Sequence, residues 1–115
     1  MNQPVNESTV EELKEIVGDA LDEIIDAYVT DGKELIETMG SALSAQDFAR
    51  LQAISHQLKS SSANVGALGI SELMKKIEAF ARDGNLEGIT PLFSSAESEF
   101  SRVIEYFRPL TGNAA

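Results

Sequence analysis

Residues 48–65, FARLQAISHQLKSSSANV, decide the fold. At about 100° per residue from Phe48, the side chains of Leu51, Ile54, Leu58 and Val65 gather near 280°. His56, the one histidine of the chain, falls at about 80° by the same measure, nearly opposite that stripe. A helix over this stretch therefore buries its aliphatic side and turns the imidazole toward solvent. Ser44 to Asp47 reads as its N-terminal cap, with an acid at the first turn. Gly66 and Gly69 mark a break after it.

Helical spacing continues on both sides. Val10, Leu13 and Val17, set among Glu11, Glu12, Lys14 and Glu15, predict a short amphipathic helix ending near Gly18. Leu21, Ile24, Ile25, Tyr28, Leu35, Ile36 and Met39 form a longer stripe that runs through Gly32 at some cost in propensity. Ile70, Leu73, Ile77, Phe80 and Ala81 mark the buried side of a fourth helix, stopped by Asp83, Gly84 and Asn85. The last helix carries Phe93, Ala96, Phe100, Val103, Ile104 and Phe107. Thr90-Pro91 is a good cap and first position for it, although a preliminary turn could begin at Leu86. Pro109 limits it to about Arg108. No segment alternates with period two. The expectation is an all-α fold, an antiparallel four-helix bundle with an additional short N-terminal helix. Residues 1–8 are expected to be a flexible segment, 9–110 a single helical domain, and 111–115 a flexible tail.

Composition narrows the function. The 115 residues fit one domain. No apolar run is long enough to span a bilayer, and MNQPVNEST lacks the features of a secretory signal. Cysteine is absent, which removes disulfides and thiolate metal sites and permits a reducing compartment; a cytoplasmic location is expected. A formal charge of −10 repels nucleic-acid backbones and anionic membranes, so neither is an expected partner.

The chemistry then falls to His56. An exposed histidine taken alone is more often incidental than functional, but its surroundings change the weighting. Between residues 51 and 71 the only formally charged side chain is Lys59, in a chain otherwise rich in charge. Gln52, Lys59, Ser60 and Ala63 share the His56 side of the helix within two turns. Such a neutral, small-residue face suits close docking of another protein around an imidazole. No set of ligands at metal-binding spacing accompanies His56, and no glycine-rich phosphate loop is present. A His56–Ser60 hydrolytic pair would lack a visible oxyanion pocket. The nucleophile role is left, with the Lys59 ammonium able to stabilise phosphoryl oxygens.

SHQLKSSSANVGALG, residues 55–69, resembles the signature of histidine-containing phosphotransfer domains of multistep two-component signalling. The likeness extends through LGISELMKKIEAFARDGNL, residues 68–86, and covers most of the chain. It implies a helical bundle in which His56 is phosphorylated and Lys59 assists with the phosphoryl group. The small residues that follow would admit a receiver domain. Gln52, Gln57, Lys59, Ser60, Ala63 and Gly66 are the expected partner-binding residues. One departure is Ser60, where the family usually has glycine; a hydroxymethyl group there is expected to be tolerated, with an effect on partner preference. The resemblance implies response-regulator receiver domains and a hybrid sensor histidine kinase as partners. The receiver would supply the acceptor aspartate and a magnesium ion, so no cofactor or metal of the chain's own is expected. A phosphocarrier without autonomous catalysis is the expectation, working as a monomer, since one exposed face requires no dimer. A non-phosphorylated helical adaptor using the same face is the alternative, and a hydrolase built on His56 and Ser60 a weaker one.

Overall fold

The computed structural model describes residues 3–111. Five α-helices follow one another: α1 Glu7–Val17, α2 Leu21–Ser44, α3 Phe48–Asn64, α4 Leu68–Arg82 and α5 Leu86–Phe107. Single 3-10 turns at Gly18–Ala20 and Arg108–Leu110 flank α2 and α5. No strand occurs among the described residues, so the fold is all-α as the periodicity predicts. α2 packs on α3, α3 on α4, α4 on α5 and α5 back on α2, which closes an antiparallel four-helix bundle. The stripes meet in one core that includes Ile25, Met39, Leu51, Leu58, Ile70, Met74, Ile77, Ile89, Val103 and Phe107, all fully buried.

Tyr28 ties three helices together. Its ring lies edge-on to Phe100 and Phe107 of α5, with centroids 5.9 and 6.4 Å away. Its hydroxyl meets Ser62 Oγ of α3 at 2.7 Å, so neither buried polar group is left unpaired. Burial pushes the phenol up to about 12, against the lowering effect of the Ser62 bond. Gly32, unfavourable for helix by itself, has a packing reason: a Cβ there would clash with the tip of the Phe100 ring. Gly32→Ala gains about 1 kcal/mol of helix propensity but overpacks the α2–α5 contact, which costs about 1–3 kcal/mol. The expected net result is a melting temperature several degrees lower. A rise on thermal denaturation would mean that Phe100 moves aside freely.

Three local details come from the structure. The segment before α1 is anchored at Val5 and Asn6: Val5 is 1% exposed within the core, and Asn6 N–H donates to Gly66 O at 2.7 Å, while Gln3, Glu7 and Ser8 are exposed. Asn6 Oδ1 also accepts from Thr9 N at 3.0 Å, so α1 starts at Glu7 with a side-chain cap. A lone valine between polar residues hid this anchor. Residues 1–2 and 112–115, the outer parts of the two segments expected to be flexible, lie outside the described residues; Thr111 is half-buried and donates to Arg108 O at 3.2 Å. Second, α3 is capped by Asp47 itself, whose carboxylate accepts from Arg50 N at 3.1 Å, whereas Ser44 still belongs to α2. Third, of the two starts open for α5, Leu86 is the one used, with Asn85 Oδ1 accepting from Gly88 N at 3.0 Å; Pro91 then sits inside the helix at an exposed position. On α4, Leu73 and Phe80 are half-buried, and Met74 and Glu78 take buried positions instead.

Candidate functional site

His56 stands in the middle of α3, away from Leu51, Ile54, Ser55 and Leu58, which face the core. Its side chain is 64% exposed. Lys59, one turn on, has a half-buried side chain at 30% exposure, more covered than its place on an open face predicts. The cause is Glu78 of α4. One of its carboxylate oxygens, Oε2, lies 2.9 Å from His56 Nδ1, and the other, Oε1, accepts from Lys59 Nζ at 2.7 Å. The Glu78 side chain is only 10% exposed. A single buried carboxylate thus fixes both functional candidates of α3 from the neighbouring helix. The Lys59 hydrogen bond holds the Glu78 carboxyl below its ordinary 4.5; burial opposes this, and the His56 bond adds to it. The α3–α4 contact is held in register beside the site by Ser71 Oγ, which donates to Lys59 O at 3.0 Å.

Ionised Glu78 can only accept hydrogen bonds. His56 Nδ1 must therefore carry the proton in a neutral ring, which leaves the Nε2 lone pair free. An exposed imidazole with a fixed tautomer is a nucleophile prepared at one nitrogen. Its ordering partner is Glu78, not Ser60, so the His56–Ser60 pair gains nothing from the structure.

The other expected docking residues separate into two groups. Gln57, Ser60 and Ala63 are exposed and Gln52 half-buried, all on α3 around His56. Gly66 is different: it is buried beneath the N-terminal segment, where its carbonyl accepts from Asn6 N. Its φ of +82° and the closeness of Asn6 O, 2.9 Å from where a Cβ would sit, account for the glycine. It serves the chain's own packing rather than an open docking face. Glu78 itself was missed in the sequence. Its position next to Ile77 on the buried side of α4 was the only available signal, an acid encroaching on an apolar stripe.

Among the described residues, no group of three or more His, Cys, Asp or Glu side chains is placed to hold a metal ion, and no helix is long and apolar enough to cross a membrane.

The site is thus one exposed histidine at mid-helix of a four-helix bundle, oriented by a carboxylate from the neighbouring helix. A family model described as "Hpt domain" matches residues 23–106. The chain belongs to that family, whose phosphotransfer proteins serve phosphorelays as phosphocarriers rather than enzymes. Histidine-containing phosphotransfer protein 4 of Arabidopsis thaliana is 32% identical over 96 residues, which cover 78% of this chain and 76% of that protein. The crystal structure of histidine-containing phosphotransfer protein B from Pseudomonas aeruginosa superposes with a TM-score of 0.91 at 28% identity, covering 95% of each chain.

Proposed function

We propose that His56 is the phosphoryl acceptor and donor of this protein, exchanging the group with aspartates of response-regulator receiver domains, one of which belongs to a hybrid sensor kinase. The observation that carries the reading is the 2.9 Å contact between Nδ1 of an exposed His56 and buried Glu78. In the forward step the Nε2 lone pair attacks the phosphorus of an aspartyl phosphate. A P–N bond forms, the P–O bond to the aspartate breaks, and the carboxylate leaves. The ring, still protonated at Nδ1, becomes formally cationic, and Glu78 stabilises that charge across the bond it already holds. The return to another receiver reverses each change. Lys59 is the nearby cation for the phosphoryl oxygens, at present held by Glu78 Oε1. The catalytic magnesium ion belongs to the receiver in this scheme, and the chain needs no cofactor of its own. Phosphotransfer from a panel of labelled receivers, followed by mapping of the modified residue, tests the reading.

Ser60 gives a second test. It lies one turn from His56, about 6 Å along the helix, and is exposed. Ser60→Trp fills no core space, so thermal stability should stay within about 0.5 kcal/mol of wild type. Its indole would stand between the imidazole and a flat partner, and transfer from a receiver should fall at least about tenfold, the equivalent of about 1.4 kcal/mol. Unchanged binding and transfer would place the docking surface elsewhere.

A further inference from the structure

The charge of this acidic protein is unevenly placed. Residues 48–82, which form α3 and α4, carry five bases (Arg50, Lys59, Lys75, Lys76 and Arg82) against two acids, Glu72 and Glu78. The remainder carries four bases against seventeen acids. Glu78 is already engaged by Lys59 and His56, so its charge is offset within the site. Lys75 and Arg82 are exposed and have no ion-pair partner within the chain among the described residues. They lie three residues before and four after Glu78, on the same side of α4, within about 60° of it around the helix. They therefore border the His56–Glu78 contact along the α4 edge.

We infer that Lys75 and Arg82 form an electrostatic docking rim for an acidic surface of the partner that exchanges phosphoryl groups with His56. The inference rests on the phosphorelay reading and specifies the partner's charge at one edge. The choice of occupant follows from charge complementarity: two exposed cations flanking Glu78 on α4 attract carboxylates and repel a basic surface. The bundle is 25 Å across. At about 0.1 M salt the Debye length is about 10 Å, so charges on the far side of the bundle act more weakly on a docked partner than Lys75 and Arg82 beside it. The nearby cations are not screened at docking distance. An acidic partner is thus repelled over most of the surface and attracted at the edge beside His56, which orients the encounter.

The experiment is stopped-flow phosphotransfer from a phosphorylated receiver domain at several ionic strengths. It compares wild type with Lys75→Glu/Arg82→Glu, with the charge-preserving Lys75→Arg/Arg82→Lys, and with Lys33→Glu on exposed α2 as a control. Steering of this kind changes association by about 10–1000-fold. The double reversal should lower the apparent association rate at least about tenfold at low salt, with the deficit shrinking as salt rises. The rate at saturating receiver should be unchanged, because His56, Lys59 and Glu78 are intact. The charge-preserving pair and Lys33→Glu should follow wild type. Equal association rates and salt slopes for the double reversal and wild type would overturn the inference, as would a loss confined to the saturating rate. If wild type takes a phosphoryl group from no receiver, the phosphorelay reading itself fails and this inference with it.

Discussion

A His56→Gln protein is expected to take up no phosphoryl group from any phosphorylated receiver, while keeping its helical spectrum and melting within a few degrees of wild type. Both halves have a physical cause. The amide of glutamine has no nucleophilic lone pair to replace Nε2, so the loss should be complete rather than graded. The imidazole is 64% exposed and packs into no part of the core, and Glu78 keeps Lys59 as a partner when the ring is gone. In-line displacement needs nucleophile, phosphorus and leaving oxygen in register, with charge neutralised around them. In the proposed scheme the chain offers the imidazole and one ammonium, and the receiver supplies the rest. ATP alone should therefore label neither protein. Wild-type label should be acid-labile and base-stable, as expected of a phosphorus–nitrogen bond, and should map to His56. Transfer retained in His56→Gln, or label on Ser60 or Ser61, would remove His56 from the mechanism. Labelling by ATP without a partner would place the protein among enzymes.

The second large effect is expected at Glu78. Replacing it with Ala removes the acceptor for Nδ1–H and the carboxylate that balances the cationic ring as phosphohistidine forms. A hydrogen bond to a charged group contributes about 1.5–3 kcal/mol, so transfer at saturating receiver should slow by about 10- to 150-fold. Association should change little, because Lys75 and Arg82 remain. Glu78→Gln should fall between the two, since its carbonyl can still accept from Nδ1 but bears no charge. A saturating rate equal to wild type in Glu78→Ala would reduce the contact to a structural one. Stability carries its own signature. The Glu78 carboxyl is held below its ordinary 4.5, first by Lys59. Its contribution to folding is therefore fully present above about pH 4.5 and is lost as pH falls through the lower, folded-state value. The stability gap between wild type and Glu78→Gln should be widest near neutrality and close in acid. A gap that stays constant down to pH 2 would contradict the assignment.

Much of the fold is carried by local pattern. Leu51, Ile54 and Leu58 fix the inward side of α3, and that side alone places His56 outward, because helical angle is a property of sequence spacing. Asn85, Asp47 and Asn6 each carry a cap acceptor. Of the plausible starts for α5, Leu86 rather than Thr90 is used, with Asn85 Oδ1 accepting from Gly88 N. The family signature around His56 and Lys59 is likewise local, within one helix.

The partnership of those two residues with Glu78 is not. Nineteen and twenty-two residues separate Glu78 from Lys59 and His56, and the apolar stripe of α4 gives its inward face but not which neighbouring helix the flank of that stripe meets. The rotation of α4 is set by Ile70, Met74 and Ile77 seeking the core, and it carries Glu78 to the α3 side as a consequence. Gly32 and Gly66 belong to the same category. In the sequence each reads as a flaw or a break, and only the arrival of Phe100 or of Asn6 supplies the reason. The sequence by itself determined the helices, their inward faces and the exposed histidine, because each depends on neighbours three or four residues away. Tertiary structure alone decided the tautomer of His56, the covering of Lys59 and the anchoring of the N-terminal segment, because each depends on a group brought from another helix by packing.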